Sequence, residues 1–156
     1  MKQAVVLVFF IVICLGVGFL GSKYTSQSIS DWYLQIKKPA WTPPNWIFAP
    51  VWTFLYISMA AAAWLVWREF GAAGASAAMA MFIIQLILNA LWSYLFFGLR
   101  SPELAFLDIV ILFAAVVLTA VLFWRHVTFA GVLMLPYAAW VGYASTLNWA
   151  IWRMNP

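Results

Sequence analysis

Polar and apolar positions along this chain separate into blocks instead of alternating. No Asp, Glu, Lys or Arg falls between Lys2 and Lys23, between Lys38 and Arg68, or between Glu69 and Arg100. From Ser101 to Arg125 the only charges before the end are Glu103 and Asp108, and Val127 to Trp152 is again uncharged. A helix rising ~1.5 Å per residue needs about 20 apolar residues to cross the hydrocarbon core of a bilayer. The pattern predicts an all-α membrane protein, a bundle of five transmembrane helices at about 4–22, 44–67, 74–98, 103–124 and 127–152. Strands fit less well, because the blocks are continuously apolar and lack the two-residue alternation of a membrane barrel.

Short polar turns separate most of the spans, which makes consecutive helices antiparallel. Arg68-Glu69-Phe70-Gly71 closes the second span and Arg125-His126 joins the last two. At Arg100-Ser101-Pro102-Glu103, Ser101 suits a helix N-cap, Pro102 the first helical position and Glu103 the positive helix end. The exception is a loop at 23–43, which carries Trp32, Tyr33, Trp41 and the turn Trp41-Thr42-Pro43-Pro44. Stiff prolines and large aromatics there argue for an ordered lid. The first span exceeds the apolar core of a signal peptide and no small-residue cleavage site follows it, so it reads as a retained helix.

Composition agrees. The 156 residues are 67% hydrophobic and 8% charged, against about 25% charged in soluble domains. The chain reads as a single transmembrane domain, 1–156. A net charge of +4, thinly scattered, excludes a nucleic-acid partner and places basic residues at membrane edges. Five of them (Lys23, Lys37, Lys38, Arg100, Arg153) share the face of the long loop and C-terminus, and three (Lys2, Arg68, Arg125) lie on the other. The positive-inside rule makes the first face cytoplasmic. One cysteine, Cys14, one His and four acids leave no metal cluster and no nucleophile–base pair, so a required cofactor or hydrolytic chemistry is not expected.

Eleven tryptophans remain to be explained. Trp32, Trp41, Trp46, Trp64, Trp67, Trp124, Trp149 and Trp152 lie near span ends, where an interfacial belt is expected. Trp52, Trp92 and Trp140 lie deeper, and antiparallel alternation puts all three in the half of the bundle beneath the long loop, with Asn89. Two readings stand: an interhelical amide with packed aromatics, or a cavity with aromatic walls and a few orienting polar groups. Pro136 interrupts the last span, and Gly142, Ala144 and Ser145 beyond it either admit a neighbouring helix or leave room for a ligand. Asp108 lies near enough to a helix end to reach the interface or a neighbouring hydroxyl. The pairs Gly71/Ala75 and Gly74/Ala78 suggest close helix approach and a homodimer through the third helix.

Several segments carry a family resemblance: Trp32-Tyr33, Lys38-Pro39-Ala40-Trp41-Thr42-Pro43-Pro44, Val51-Trp52, Asn89-Ala90-Leu91-Trp92-Ser93, Pro136-Tyr137-Ala138-Ala139-Trp140 and Leu147-Asn148-Trp149. In these the chain resembles the tryptophan-rich sensory protein family, also called the translocator protein or peripheral-type benzodiazepine receptor family. The resemblance implies binding of porphyrins such as protoporphyrin IX and of isoquinoline or benzodiazepine ligands. It implies a ligand site formed by Tyr33, Pro43, Trp52, Asn89, Trp92, Trp140 and Ala144, with Trp52 and Trp140 as the photochemical candidates. Porphyrin would be a ligand and not a required cofactor, and its carboxylates could meet Lys37 and Lys38. Three roles follow: tetrapyrrole sensor or regulator, light-dependent porphyrin-degrading enzyme, or carrier of hydrophobic small molecules. The cholesterol motif of animal members departs here, since Trp149 occupies its tyrosine position.

Overall fold

A computed structural model describes residues 2–156, with side chains from Gln3 onward, so the Lys2 charge counted above lies outside the described side chains. Every regular element among the described residues is a helix: α1 (Lys2–Ile29), α2 (Trp32–Gln35), α3 (Asn45–Gly74), α4 (Ser76–Ser93), α5 (Pro102–His126) and α6 (Thr128–Met154), with a π-helical turn at Tyr94–Gly98 prolonging α4. Four of these segments, Gln3–Ile29, Asn45–Gly74, Ser76–Gly98 and Pro102–His126, are long and apolar enough to cross a membrane. The fifth expected span does not reach that standard. α6 has the length, 27 residues, but Pro136, Tyr137, Trp140, Tyr143 and Asn148 dilute its apolar character.

The surface is the inverse of a soluble protein's. Phe19 is 74% exposed, and Val5, Val8, Phe9, Ile83, Ile87, Ile111 and Phe129 also point outward. Gln85, Asn89, Asp108, Thr119 and Asn148 are buried instead. Large exposed apolar area is costly in water, whereas in lipid the polar groups are the ones that must turn inward.

Helix boundaries differ from the expected ones for local reasons. α1 continues past the apolar run to Ile29, because Ser22, Thr25 and Ser26 bond back to carbonyls of their own helix at 2.8–3.2 Å. The lid is therefore shorter than 23–43 and contains one helical turn, α2. The turn between α3 and α4 falls at Gly71, whose φ of 67° and ψ of 174° break the helix, a conformation glycine accepts readily. Gly71 is therefore the turn itself, and Gly74 lies between that break and the start of α4 at Ser76. The expected small-residue pairs do not form one outward stripe, and Ala75 and Ala78 are buried within the protomer. At the α5 start the reading from sequence holds: the Ser101 side chain accepts from the Leu104 N–H at 3.4 Å, with Pro102 and Glu103 in the first turn and Arg125 and His126 in the last.

Pro136 leaves α6 helical. One turn away, the Ser58 hydroxyl donates to the Leu133 carbonyl at 2.7 Å and ties α3 to α6. Gly142 lets α5 approach, since a Cβ there would lie 3.2 Å from the Phe113 ring. Asp108 is buried, only 6% exposed, and its Oδ2 meets no hydroxyl or other hydrogen-bond partner among the described residues.

Close packing makes the glycines unequal. A Cβ on Gly131 would lie 2.8 Å from the Trp124 Cα and 2.6 Å from its Cβ, whereas one on Gly16 would meet nothing within 4 Å. Gly131→Ala should lower stability by about 1–3 kcal/mol, the usual cost of overpacking. Gly16→Ala should be neutral or slightly stabilising, because alanine favours a helix by ~1 kcal/mol over glycine. Thermal unfolding in one detergent compares them; equal melting temperatures would contradict the packing described.

Candidate ligand-binding cavity

Three aromatic residues of the bundle interior converge because of helix spacing. Trp52 and Tyr56 are four apart on α3 and so share a face; their rings stack with centroids 5.5 Å apart. Trp92, near the end of α4, stacks on Phe96 of the π turn at 5.2 Å. Trp140 of α6 meets Phe48 edge-on at 6.0 Å. Together they wall a cavity of about 560 Å³, within the ~300–1,000 Å³ range of small-molecule sites.

Hydrogen bonds fix these rings. The Tyr56 hydroxyl donates to Asn89 Oδ1, and Asn89 Nδ2 donates to the Tyr137 hydroxyl at 3.1 Å. The Trp92 indole N–H donates to Asn148 Oδ1 at 2.9 Å, and Asn148 Nδ2 donates to the Pro102 carbonyl at 2.7 Å. Both amides sit in apolar helices, where an unpaired polar group costs several kcal/mol; their bonds join α3, α4, α5 and α6.

The lid is strapped to the bundle at several points. Asp31 pairs with Arg100 at 3.0 Å. The Lys37 N–H donates to Asn155 Oδ1 at 3.0 Å, and Asn155 Nδ2 donates to the Lys37 carbonyl at 2.9 Å. The Tyr143 hydroxyl donates to the Trp41 carbonyl at 2.7 Å. The long loop and the C-terminus therefore meet at one end of the bundle, while Trp64 donates to the Gln3 carbonyl at 3.1 Å at the other. Tyr33 roofs the cavity. Burial, and secondarily Tyr143, push its phenol up to about 12, so it is neutral at ordinary pH.

Of the residues anticipated from sequence, Tyr33, Trp52, Trp92, Trp140 and Ala144 line the cavity. Asn89 stands behind Tyr56 with its amide committed to the two tyrosines, and Pro43 lies in the lid outside the lining. Among the described residues no Asp, Glu, Lys, Arg or His lines the cavity. Lys38 Nζ donates to the Tyr33 and Ile36 carbonyls and sits over the Tyr33 ring, while Lys37 is exposed. The His126 ring nitrogen is bonded to the Leu122 carbonyl at 2.8 Å, far from the cavity, and Cys14 is buried in the apolar core. Sequence reasoning missed Tyr56 and Asn148; the first was signalled by its spacing from Trp52, the second by being an amide inside an apolar span.

An inverted surface, apolar helices and a tryptophan-walled cavity of small-molecule size define a helical integral membrane protein. The chain belongs to the TspO/MBR family, whose model matches residues 10–153. It is 45% identical over 141 residues to the tryptophan-rich protein TspO of Archaeoglobus fulgidus, covering 90% of this chain and 91% of that one. Against the translocator protein of Homo sapiens identity is 35% over 139 residues, covering 88% and 82%. Against the tryptophan-rich sensory protein of Cereibacter sphaeroides it is 36% over 125 residues, covering 80% and 77%.

The Asn148 relay has a measurable consequence. Asn148→Leu strands the Trp92 N–H and removes the bond to the Pro102 carbonyl, which should cost about 1–3 kcal/mol for the unsatisfied buried group. Thermal unfolding should show this loss, with altered tryptophan emission; wild-type stability and emission together would refute the relay.

Proposed function

We propose that this protein binds a tetrapyrrole of the protoporphyrin IX kind within the bundle and acts as a sensor or regulator of porphyrin state. The observation that carries the reading is the cavity itself: neutral, walled by Trp52, Trp92 and Trp140, and large enough for a flat apolar ring. Because no cation lines it, a porphyrin seats its ring among the aromatics and leaves its two carboxylates at the mouth, level with the headgroups. Flat neutral isoquinoline or benzodiazepine ligands suit the same walls. In this reading α6 is the fifth span, completed by its packing on α5, and the end bearing the lid and C-terminus is cytoplasmic by its excess of basic residues. A homodimer through α4 would use outward residues such as Ile83 and Ile87, not the Gly74/Ala78 pair.

Aromatic contacts add about 0.5–1.5 kcal/mol each beyond burial, against about 0.2–1 kcal/mol for an exposed ion pair. Trp52→Ala and Trp140→Ala should each weaken porphyrin binding more than Lys37→Ala, in variants shown to be folded. Trp64→Ala, at the opposite end of the bundle, is the control. Fluorescence titrations in the dark give the affinities; loss at Trp64 equal to that at Trp52 and Trp140 would put the site elsewhere. The same titration under illumination distinguishes binding from degradation: a tetrapyrrole consumed only in light, and only with Trp52 and Trp140 present, would make the protein an enzyme.

A further inference from the structure

α1 is held to the bundle asymmetrically. Its C-terminal half leans on α4 and the π turn: a Cβ on Gly21 would lie 2.8 Å from the Ser93 hydroxyl, Ser28 donates to the Phe97 carbonyl at 2.6 Å, and Tyr24 meets Tyr94 edge-on at 5.3 Å. Towards α3 the tight contact is lower down, where a Cβ on Gly18 would lie 2.4 Å from the Tyr56 ring. Above that point the two helices part around the cavity. Phe19, Ser22 and Ser26 of α1 and Asn45, Ala49 and Thr53 of α3 all line the cavity, and all six are exposed. Residues that line an interior space and also face the lipid-contacting surface mark an opening between them. At the lid end, by contrast, Tyr33 lines the cavity and the lid is tied to the bundle through Arg100, Tyr143 and Asn155.

From this geometry we propose that the α1–α3 seam is a lateral portal through which the cavity exchanges ligands directly with the bilayer. The ligand class is a membrane-dissolved apolar ring whose polar substituents lie along one edge. The seam's chemistry suits that passage. It carries no charge, and its hydroxyls are satisfied by their own helices: Ser22 donates to Phe19, Ser26 to Lys23 and Thr53 to Ala49, at 2.8, 3.1 and 2.8 Å. They therefore face lipid without the penalty of an unpaired polar group, yet can turn to a polar substituent as it passes. The portal deepens the proposed function, but its test does not depend on the ligand being a porphyrin.

The test places a single thiol in the cavity, Cys14→Ala with Ala144→Cys, in the full chain reconstituted in liposomes. A long-chain N-alkyl maleimide, dissolved in the bilayer, reports access to that thiol. Filling the seam with Ser22→Trp and Ala49→Trp should slow labelling about tenfold, equivalent to about 1.4 kcal/mol of added barrier. Loosening the lid with Asp31→Ala and Tyr143→Phe should leave the rate unchanged. Ser26→Trp alone, on the lipid-facing rim, is a milder obstruction that spares the core and should slow labelling in the same direction. Labelling indifferent to both seam fillings, or accelerated by the loosened lid, would overturn the portal. Failure of porphyrin to bind the unmodified protein would refute the ligand assignment and leave this readout intact.

Discussion

Everything in this protein is arranged around the cost of a polar group in hydrocarbon. The Tyr56–Asn89–Tyr137 chain of hydrogen bonds joins α3, α4 and α6 at the depth where no water can substitute. Asn89 can be an amide there because both ends of its side chain are occupied. In turn it holds Tyr56, on which Trp52 stacks, and Tyr137, which meets Trp52 edge-on at 6.1 Å. One buried amide thus sets the position of one cavity wall. Asn148 does the same for Trp92, by way of the Pro102 carbonyl. Polar residues that look like binding groups in the sequence act here as fasteners, and the aromatics they hold form the cavity wall.

The cavity and the lid divide the work between shape and closure. Inside, aromatic faces offer broad, sequence-tolerant contact to a flat ring, with the neutral Tyr33 above. Outside, Asp31–Arg100, Lys37–Asn155 and Tyr143–Trp41 hold the roof down. The one exposed ion pair contributes little by itself, but with the neighbouring hydrogen bonds it bridges segments far apart in sequence and so ties the lid to the segment before α5, to α6 and to the C-terminus.

Much of this was legible in the sequence. Charge-free blocks located the helices, and antiparallel alternation alone brought Trp52, Trp92 and Trp140 to one half of the bundle, where the structure places them around one cavity. Ser101, Pro102 and Glu103 announced the α5 start. The misread boundary has a local cause: side-chain bonds to the backbone decide where a helix stops. The stretch from Lys23 to Ile29 looked like the start of a loop, yet Thr25 and Ser26 bond carbonyls of their own helix and α1 runs on into a cavity wall. At Gly71 the turn expected after the second span is made by a backbone with positive φ. Asp108 remains buried without a partner for Oδ2, and nothing in the packing accounts for it.

In the proposed binding mode a neutral, aromatic cavity holds the ring of the ligand while any charge stays at the mouth. Comparing the dark affinities of protoporphyrin IX and its dimethyl ester for the purified protein in lipid nanodiscs, corrected for partitioning into empty nanodiscs, tests this directly. The ester should bind at least as tightly as the free acid, since no cation in the cavity is lost to it. Binding of the free acid that is abolished by esterification would show instead that a charged group recognises the carboxylates, and would rule this binding mode out.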